Sequence, residues 1–196
     1  WNDKLKREIP LGWDVKSLSE ITKVSTESVN PMDSPQKEFK HYSIPAFDET
    51  ANYKVELGEE IRSNKFTVKG SDLLVSKLNP WFNRVVYSTD DTDLICSSEF
   101  VVWRTENISI KNFLYMIAKD LPFIEYCTRS ASGTSHSHRR VNPQVMMKYQ
   151  IAYSKEVAMK LGSILASTLE ILAKNRVESQ TLAELRDWLL PMLMNG

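Results

Sequence analysis

KEVAMKLGSILASTLEILAKNRVESQTLAELRDWLL, residues 155–190, contains no proline and a single glycine, Gly162. A run of this length with no breaker and apolar residues at helical spacing reads as one long helix. Val157, Ile164, Ile171, Glu178 and Leu185 share one heptad position, and Leu161, Thr168, Asn175, Leu182 and Leu189 share the other. A 3.5-residue apolar repeat is what a coiled-coil seam requires, and polar Thr168, Asn175 and Glu178 in mid-seam trade stability for register and partner choice. At about 1.5 Å per residue, Val157 to Leu190 would span roughly 50 Å. That exceeds the diameter of the domain it leaves, so the helix is predicted to reach a partner. The alternative is an amphipathic helix folded back on its own domain. Leu165, Leu169 and Leu172 widen the stripe beyond a strict two-stranded seam, which admits more than one neighbour.

Upstream of this helix the pattern changes. FKHYSI (39–44), DLLVSKL (72–78), NRVVYS (83–88) and EFVVWR (99–104) are β-branched and aromatic runs bounded by Pro, Gly, Asn or Asp. SIKNFLYMIAKD predicts a helix capped by Ser109, LPFIEYC a second one restarting at Pro122, and Asn142-Pro143 opens a short third. The expected fold is α+β: a mixed, mainly β domain with short helices over residues 1–154, then a long C-terminal coiled-coil-forming helix over 155–196. There is no internal repeat and no low-complexity segment.

With 196 residues, 42% of them hydrophobic, the chain can bury one domain and carry an extension. Lys+Arg and Asp+Glu are 25 each, so only the local distribution of charge is informative. From Tyr126 to Lys155 there is no acidic residue, while Arg129, Arg139, Arg140, Lys148 and Lys155 are basic. Between Asp90 and Glu106 the balance inverts, with Asp90, Asp91, Asp93, Glu99 and Glu106 against Arg104. Cys96 and Cys127 lack C-x-x-C spacing, which argues against a zinc ribbon or redox pair and suits a reducing compartment. No run of about eighteen apolar residues occurs, and WNDKLKREIP is too charged for a signal peptide. A soluble, cytoplasmic protein is expected.

SGTSHSHRRVNP (132–143) lies inside the acid-free segment. His136 and His138 could share one face of a strand, but zinc requires three or four ligands and none is at hand nearby in sequence. As catalytic bases they would need an orienting carboxylate and a nucleophile, which this segment does not supply. For an anion the set suffices: Arg139 and Arg140 offer guanidinium forks, Ser132, Thr134 and Ser135 hydroxyls, and Gly133 close backbone approach. Arginine can also read guanine in a major groove. The alternative is a solvated basic loop that binds nothing. In GSDLLVSKLNPWFNRVV (70–86), Asn79-Pro80-Trp81 resembles the N-P-P-aromatic motif of adenine N6-methyltransferases. The second proline is missing and no Gly-rich loop precedes it to hold S-adenosylmethionine, so an enzyme reading is set aside. Lys77, Asn79, Trp81, Asn83 and Arg84 then become candidates to face a nucleic-acid backbone or base edges from a turn between strands. The competing reading makes Trp81 and Phe82 a hydrophobic anchor under a hairpin.

IPLGW (9–13), GSDLLVSKLNP (70–80), SSEFVVWR (97–104), SGTSHSHRRVNP (132–143) and LRDWLLPMLMNG (185–196) occur in the order and spacing of one family. The chain resembles the specificity subunit of type I restriction-modification enzymes over essentially its whole length. The resemblance implies a target recognition domain followed by a spacer helix. In such subunits two recognition domains each read half of a split site on double-stranded DNA, and two antiparallel helices set the distance between them. WNDKLKREIPLGW resembles the join before a second recognition domain, so the chain is expected to be a C-terminal half; a natural half-subunit that homodimerises is the alternative. The resemblance implies that the acid-free loop around Arg139 faces DNA, so the DNA-binding candidates are Lys77, Asn79, Trp81, Asn83 and Arg84 with Ser132, Gly133, Thr134, Ser135, His136, His138, Arg139 and Arg140. The seam from Val157 to Leu189 would pair with the second helix and dock the modification subunits. SHSHRR stands where the family has a shorter SHRR-like run, which leaves the aim of His136 open. Methyl transfer and ATP-driven cleavage belong to separate modification and restriction subunits, so S-adenosylmethionine, ATP and Mg are expected on those partners and no cofactor or membrane contact on this chain. A degenerate half-subunit acting as a structural adaptor through its helix is the other function kept open.

Overall fold

The structure is a computed structural model that describes residues 1–89, 92–133 and 138–194. Along the chain the elements are β1 (Asp14–Ser17), β2 (Lys23–Ser25), β3 (Ser28–Val29), β4 (Glu38–Tyr42), α1 (Ile44–Thr50), β5 (Lys54–Leu57), β6 (Lys65–Thr67), β7 (Asp72–Ser76), β8 (Val85–Tyr87), β9 (Leu94–Cys96) and β10 (Phe100–Arg104). Then follow α2 (Ile108–Lys119), α3 (Leu121–Ser130), α4 (Pro143–Met146), β11 (Gln150–Tyr153) and α5 (Lys155–Met194). The fold is therefore α+β, as expected, with the long helix at the C-terminal end.

Three sheets form: β1 with β11, a four-stranded sheet in the order β2-β10-β7-β8, and a five-stranded sheet in the order β3-β6-β9-β4-β5. The last contains a parallel pair, β4 with β9. Successive side chains on a strand point to opposite faces, and β7 and β10 sort accordingly. Leu73, Val75, Val101 and Trp103 join the core beneath α2, α3 and α5, while Leu74, Phe100 and Val102 join the core toward the five-stranded sheet and α1. Burial on both faces is why DLLVS and FVVW read as continuous apolar runs rather than alternating ones.

Helix starts follow local chemistry. The α2 cap is Asn107, whose side chain accepts from the Ile110 amide at 3.1 Å. The expected cap, Ser109, instead lies within the first turn, because Asn107 presents its oxygen two residues earlier. Pro122 sits in the first turn of α3, where its missing N–H costs nothing. Asn142 caps α4 with Pro143 at the first helical position, as the sequence predicts.

The 40-residue α5 packs along α2 through its N-terminal half. Ala158, Gly162 and Leu169 are buried there, and Leu165, Leu172 and Ala173 lie against the same core. Gly162 permits the crossing: a Cβ at this position would stand 1.8 Å from the Ser109 carbonyl oxygen. Asn112 fastens it, donating to the Gly162 carbonyl at 2.8 Å and accepting from the Tyr87 hydroxyl at 2.5 Å. Further along, Gln180 donates to the Tyr53 carbonyl, the last hydrogen bond from the helix to the domain among the described residues. Val157, Leu161, Ile164, Ile171, Leu182, Leu185 and Leu189 are all exposed, Ile164 by 67%. Thr168, Asn175 and Glu178 are exposed as well. The fold-back reading thus holds for one stripe of the helix, while the stripe of heptad positions faces outward. The helix runs on through Pro191 to Met194.

Candidate nucleic-acid interface

The two stretches singled out in the sequence meet in space. After β7 the backbone passes through Lys77 and Leu78 to Asn79, takes a short 3-10 turn over Pro80–Phe82, and returns at Asn83 into β8. Asn79 and Asn83 both adopt the left-handed conformation, φ 46° and 48°, which asparagine tolerates better than most residues. Asn79 is buried and ties the turn to the acid-free loop: its amide donates to the Arg139 carbonyl at 2.8 Å, and its side-chain oxygen accepts from the Arg139 amide at 3.0 Å. The Val141 amide donates to the Lys77 carbonyl, and Ser132 and Arg140 exchange a pair of backbone bonds at 3.0 and 2.8 Å. Gly133 closes the base of the loop, since a Cβ there would fall 2.6 Å from the His138 carbonyl oxygen.

A third motif joins the same edge. The Lys77 amide donates to the Glu99 carbonyl at 2.9 Å. The Glu99 carboxylate accepts from Arg140 Nε at 2.9 and 3.1 Å and from Arg140 Nη2 at 2.9 Å. This carboxylate raises the Arg140 pKa above the ordinary arginine value. Sequence reasoning did not place Glu99 in the site. The signal was present, because an acid-free segment and an acid-rich one in the same small domain are electrostatically suited to meet.

The predicted residues divide by what their side chains do. Arg84 is buried and spent on structure: Nε and Nη2 donate to the two carboxylate oxygens of Asp48 at 2.5 and 2.8 Å, and the guanidinium lies 4.6 Å from the Phe82 ring centroid. It clamps the 79–84 turn onto α1. Asn83 exchanges bonds with Lys119, donating from Nδ2 to the Lys119 carbonyl and accepting at its own carbonyl from Nζ. Trp81 and Phe82 are exposed, 38% and 59%, so they are not an anchor beneath the turn. Arg139 is half-buried and donates through Nη2 to the Ala131 carbonyl. Lys77 is half-buried with no side-chain hydrogen bond or ion pair among the described residues, and Ser132, Gly133 and His138 are exposed. Thr134, Ser135 and His136 lie outside the described residues.

The arrangement offers a ridge with Lys77, Arg139 and Arg140 along one edge and the Trp81-Phe82 pair beside it. Cationic and planar groups presented from loops on a rigid sheet are suited to an anionic, aromatic polymer. Among the described residues no group of three or more His, Cys, Asp or Glu gathers to hold a metal ion. No helix of the described residues is long and apolar enough to cross a membrane.

No family model matches the chain. It is 25% identical, over its full length, to the type I restriction enzyme MjaIX specificity subunit of Methanocaldococcus jannaschii, of which it covers 46%. Its fold is that of the HsdS subunit from Thermoanaerobacter tengcongensis, with TM-score 0.63 and 22% identity, covering 92% of this chain and 48% of that one. A chain from a structure of type I R-M system assembly and conformational transition superposes with TM-score 0.68 and 21% identity, over 92% of this chain and 47% of that one. The S subunit of the type I system of M. genitalium gives TM-score 0.56 at 13% identity, over 94% and 46%. The chain spans about half the length of the proteins it matches.

Proposed function

We propose that this chain is one recognition half of a type I restriction-modification specificity subunit. Residues 1–154 are the target recognition domain, which reads one part of a bipartite site on duplex DNA. Residues 155–196 form the spacer helix, whose outward seam pairs with the helix of a second recognition half, on the same polypeptide or a second copy, and docks the modification subunits. The observation that carries this reading is similarity along the full chain to a curated specificity subunit, at about half its length. The convergence of Lys77, Arg139 and Arg140 on one edge supports the choice of DNA-facing surface.

On this reading the chain is not an enzyme. S-adenosylmethionine, ATP and Mg act on the modification and restriction subunits, and the complex works in the cytoplasm. Lys77, Arg139, Ser132 and His138 make phosphate contacts that set register, while a few groups meet base edges over a half-site of about three to five base pairs. Arg84, Asn79 and Asn83 hold the surface rather than touch DNA.

The test is selection from a random duplex pool by the chain assembled with modification subunits, at two salt concentrations. A short enriched motif is expected, and Arg139→Ala should weaken binding across sequences and flatten the salt dependence. Retention without enrichment would leave nonspecific phosphate binding and transfer the function to the helix as an adaptor.

A further inference from the structure

Glu99 and Arg140 form a side-on pair whose purpose is not evident from stability. The glutamate side chain is 23% exposed and the arginine 44%, and a partly exposed ion pair contributes only modestly to stability even when it is bidentate. Of the five guanidinium N–H donors, Nε and one of Nη2 are taken by Glu99, and one of Nη1 reaches the His138 carbonyl at 3.4 Å. One donor on each outer nitrogen is left. A guanidinium donor on each of Nη1 and Nη2 is the complement that an end-on fork presents to O6 and N7 of guanine.

We propose that Glu99 is a positioning and specificity-determining residue that holds Arg140 with its outer fork toward the duplex, so that Arg140 reads a guanine instead of gripping phosphate. The proposal rests on the DNA-recognition reading above and names part of its target: a G·C pair contacted by Arg140. Attraction to phosphate depends on net positive charge and counterion release. A carboxylate against the guanidinium cancels that charge locally and repels a phosphate approaching the same spot. Hydrogen bonding to a base edge survives, because it needs directed donors rather than net charge. The neighbours differ in the way this division of labour requires: among the described residues Lys77 has no carboxylate partner, and Arg139 bonds only to backbone and Asn79 groups. The backbone supports the aim as well, since Glu99 is bonded to Lys77 and Arg140 to Ser132, which fixes both ends of the pair on one small ladder.

The experiment compares the wild-type complex with Glu99→Gln, Glu99→Asp and Arg140→Lys by selection from a random duplex pool and by binding across a salt series. The wild type should enrich a motif with a guanine, and Arg140→Lys should relax that position and leave the others, by about tenfold in discrimination. Glu99→Gln should relax the same position, tighten binding to random duplex, and steepen the salt slope by about one. Glu99→Asp, which keeps the charge but shortens the reach, should lose the discrimination and leave the slope unchanged. A motif in the wild type that Glu99→Gln retains with an unchanged slope overturns the inference alone. So does Arg140→Lys weakening all sequences equally. No motif in the wild type overturns the recognition reading, and this inference with it.

Discussion

Asp72 is fully buried, and its carboxylate accepts from Arg104 Nε and Nη2, both at 2.8 Å, while Arg104 Nη1 reaches Glu27 at 2.7 Å. Removing one partner strands a charge in the interior. Asp72→Ala should therefore cost about 3 kcal/mol, read by urea denaturation, whereas Glu27→Ala, at an exposed carboxylate, should cost far less. At Asn79 two demands are separable. Asn79→Gly keeps the left-handed backbone and loses the side-chain hydrogen bond from the Arg139 amide, while Asn79→Ala gives up the favourable left-handed backbone as well. The alanine variant should be the less stable by about 1 kcal/mol, and equal losses would show that the backbone conformation is not the constraint. Titrating groups add a pH window. Burial pushes the Cys127 thiol up to about 12 and the Cys96 thiol well above its ordinary 9.0. It pushes the Tyr87 phenol up to about 12. A raised folded-state pKa gives stability that is complete below the unfolded value and lost as pH climbs through the folded one. His41 is shifted the other way, below 6.5 by desolvation and only partly restored by Glu56, so its contribution is lost on acidification. Stability should be highest between about pH 6.5 and 9, and a denaturation midpoint that keeps rising past pH 10 would contradict this assignment. These groups were legible in the sequence only as residue types, because the burial that shifts them is set by strands far apart in the chain.

At the scale of elements, the long helix was legible almost in full. Its outward seam is the stripe that the heptad pattern picks out, and its inward stripe was hinted at by Leu165, Leu169 and Leu172. Gly162 was visible only as the single glycine. Its tight crossing over Ser109 predicts that Gly162→Ala forces the helices apart and destabilises the fold by about 1–3 kcal/mol, measured by thermal unfolding. Substitutions on the outer stripe should behave in the opposite way. Ile164→Lys with Ile171→Lys should leave the monomer within about 0.5 kcal/mol of wild type while weakening any association through the helix, measured by sedimentation. A large loss of monomer stability would mean that the stripe packs on its own domain. The short strands β1, β2, β3, β5, β6, β9 and β11 were not singled out in the sequence, since two to four residues give too little periodicity to separate from loop.

Across the whole molecule, Asn112 is the joint between sheet and helix. It is fully buried, bonded on one side to Tyr87 of β8 and on the other to Gly162 of α5. Asn112→Ala leaves both partners without it, and amide hydrogen exchange should accelerate in the first half of α5 before it does in β7 or β10. Uniform acceleration would place the weak point elsewhere. The same joint fixes how the helix leaves the domain, and hence where the edge formed by Lys77, Arg139 and Arg140 stands relative to the outer seam.

The sequence by itself determined the α+β class, the long helix with its exposed seam, and the cap of α4, because each rests on spacing within a few turns of chain. It also supplied the two stretches that became one surface. Only the tertiary structure decided that they meet, that Asn79 joins them, that Glu99 occupies one side of Arg140, and that Arg84 is spent on Asp48 while Trp81 lies exposed. Those outcomes depend on which residues 36 to 60 positions apart are brought together. Local patterning carries no record of such pairings; they are fixed when the two faces of β7 and β10 are covered and the loops at the strand ends must share one edge.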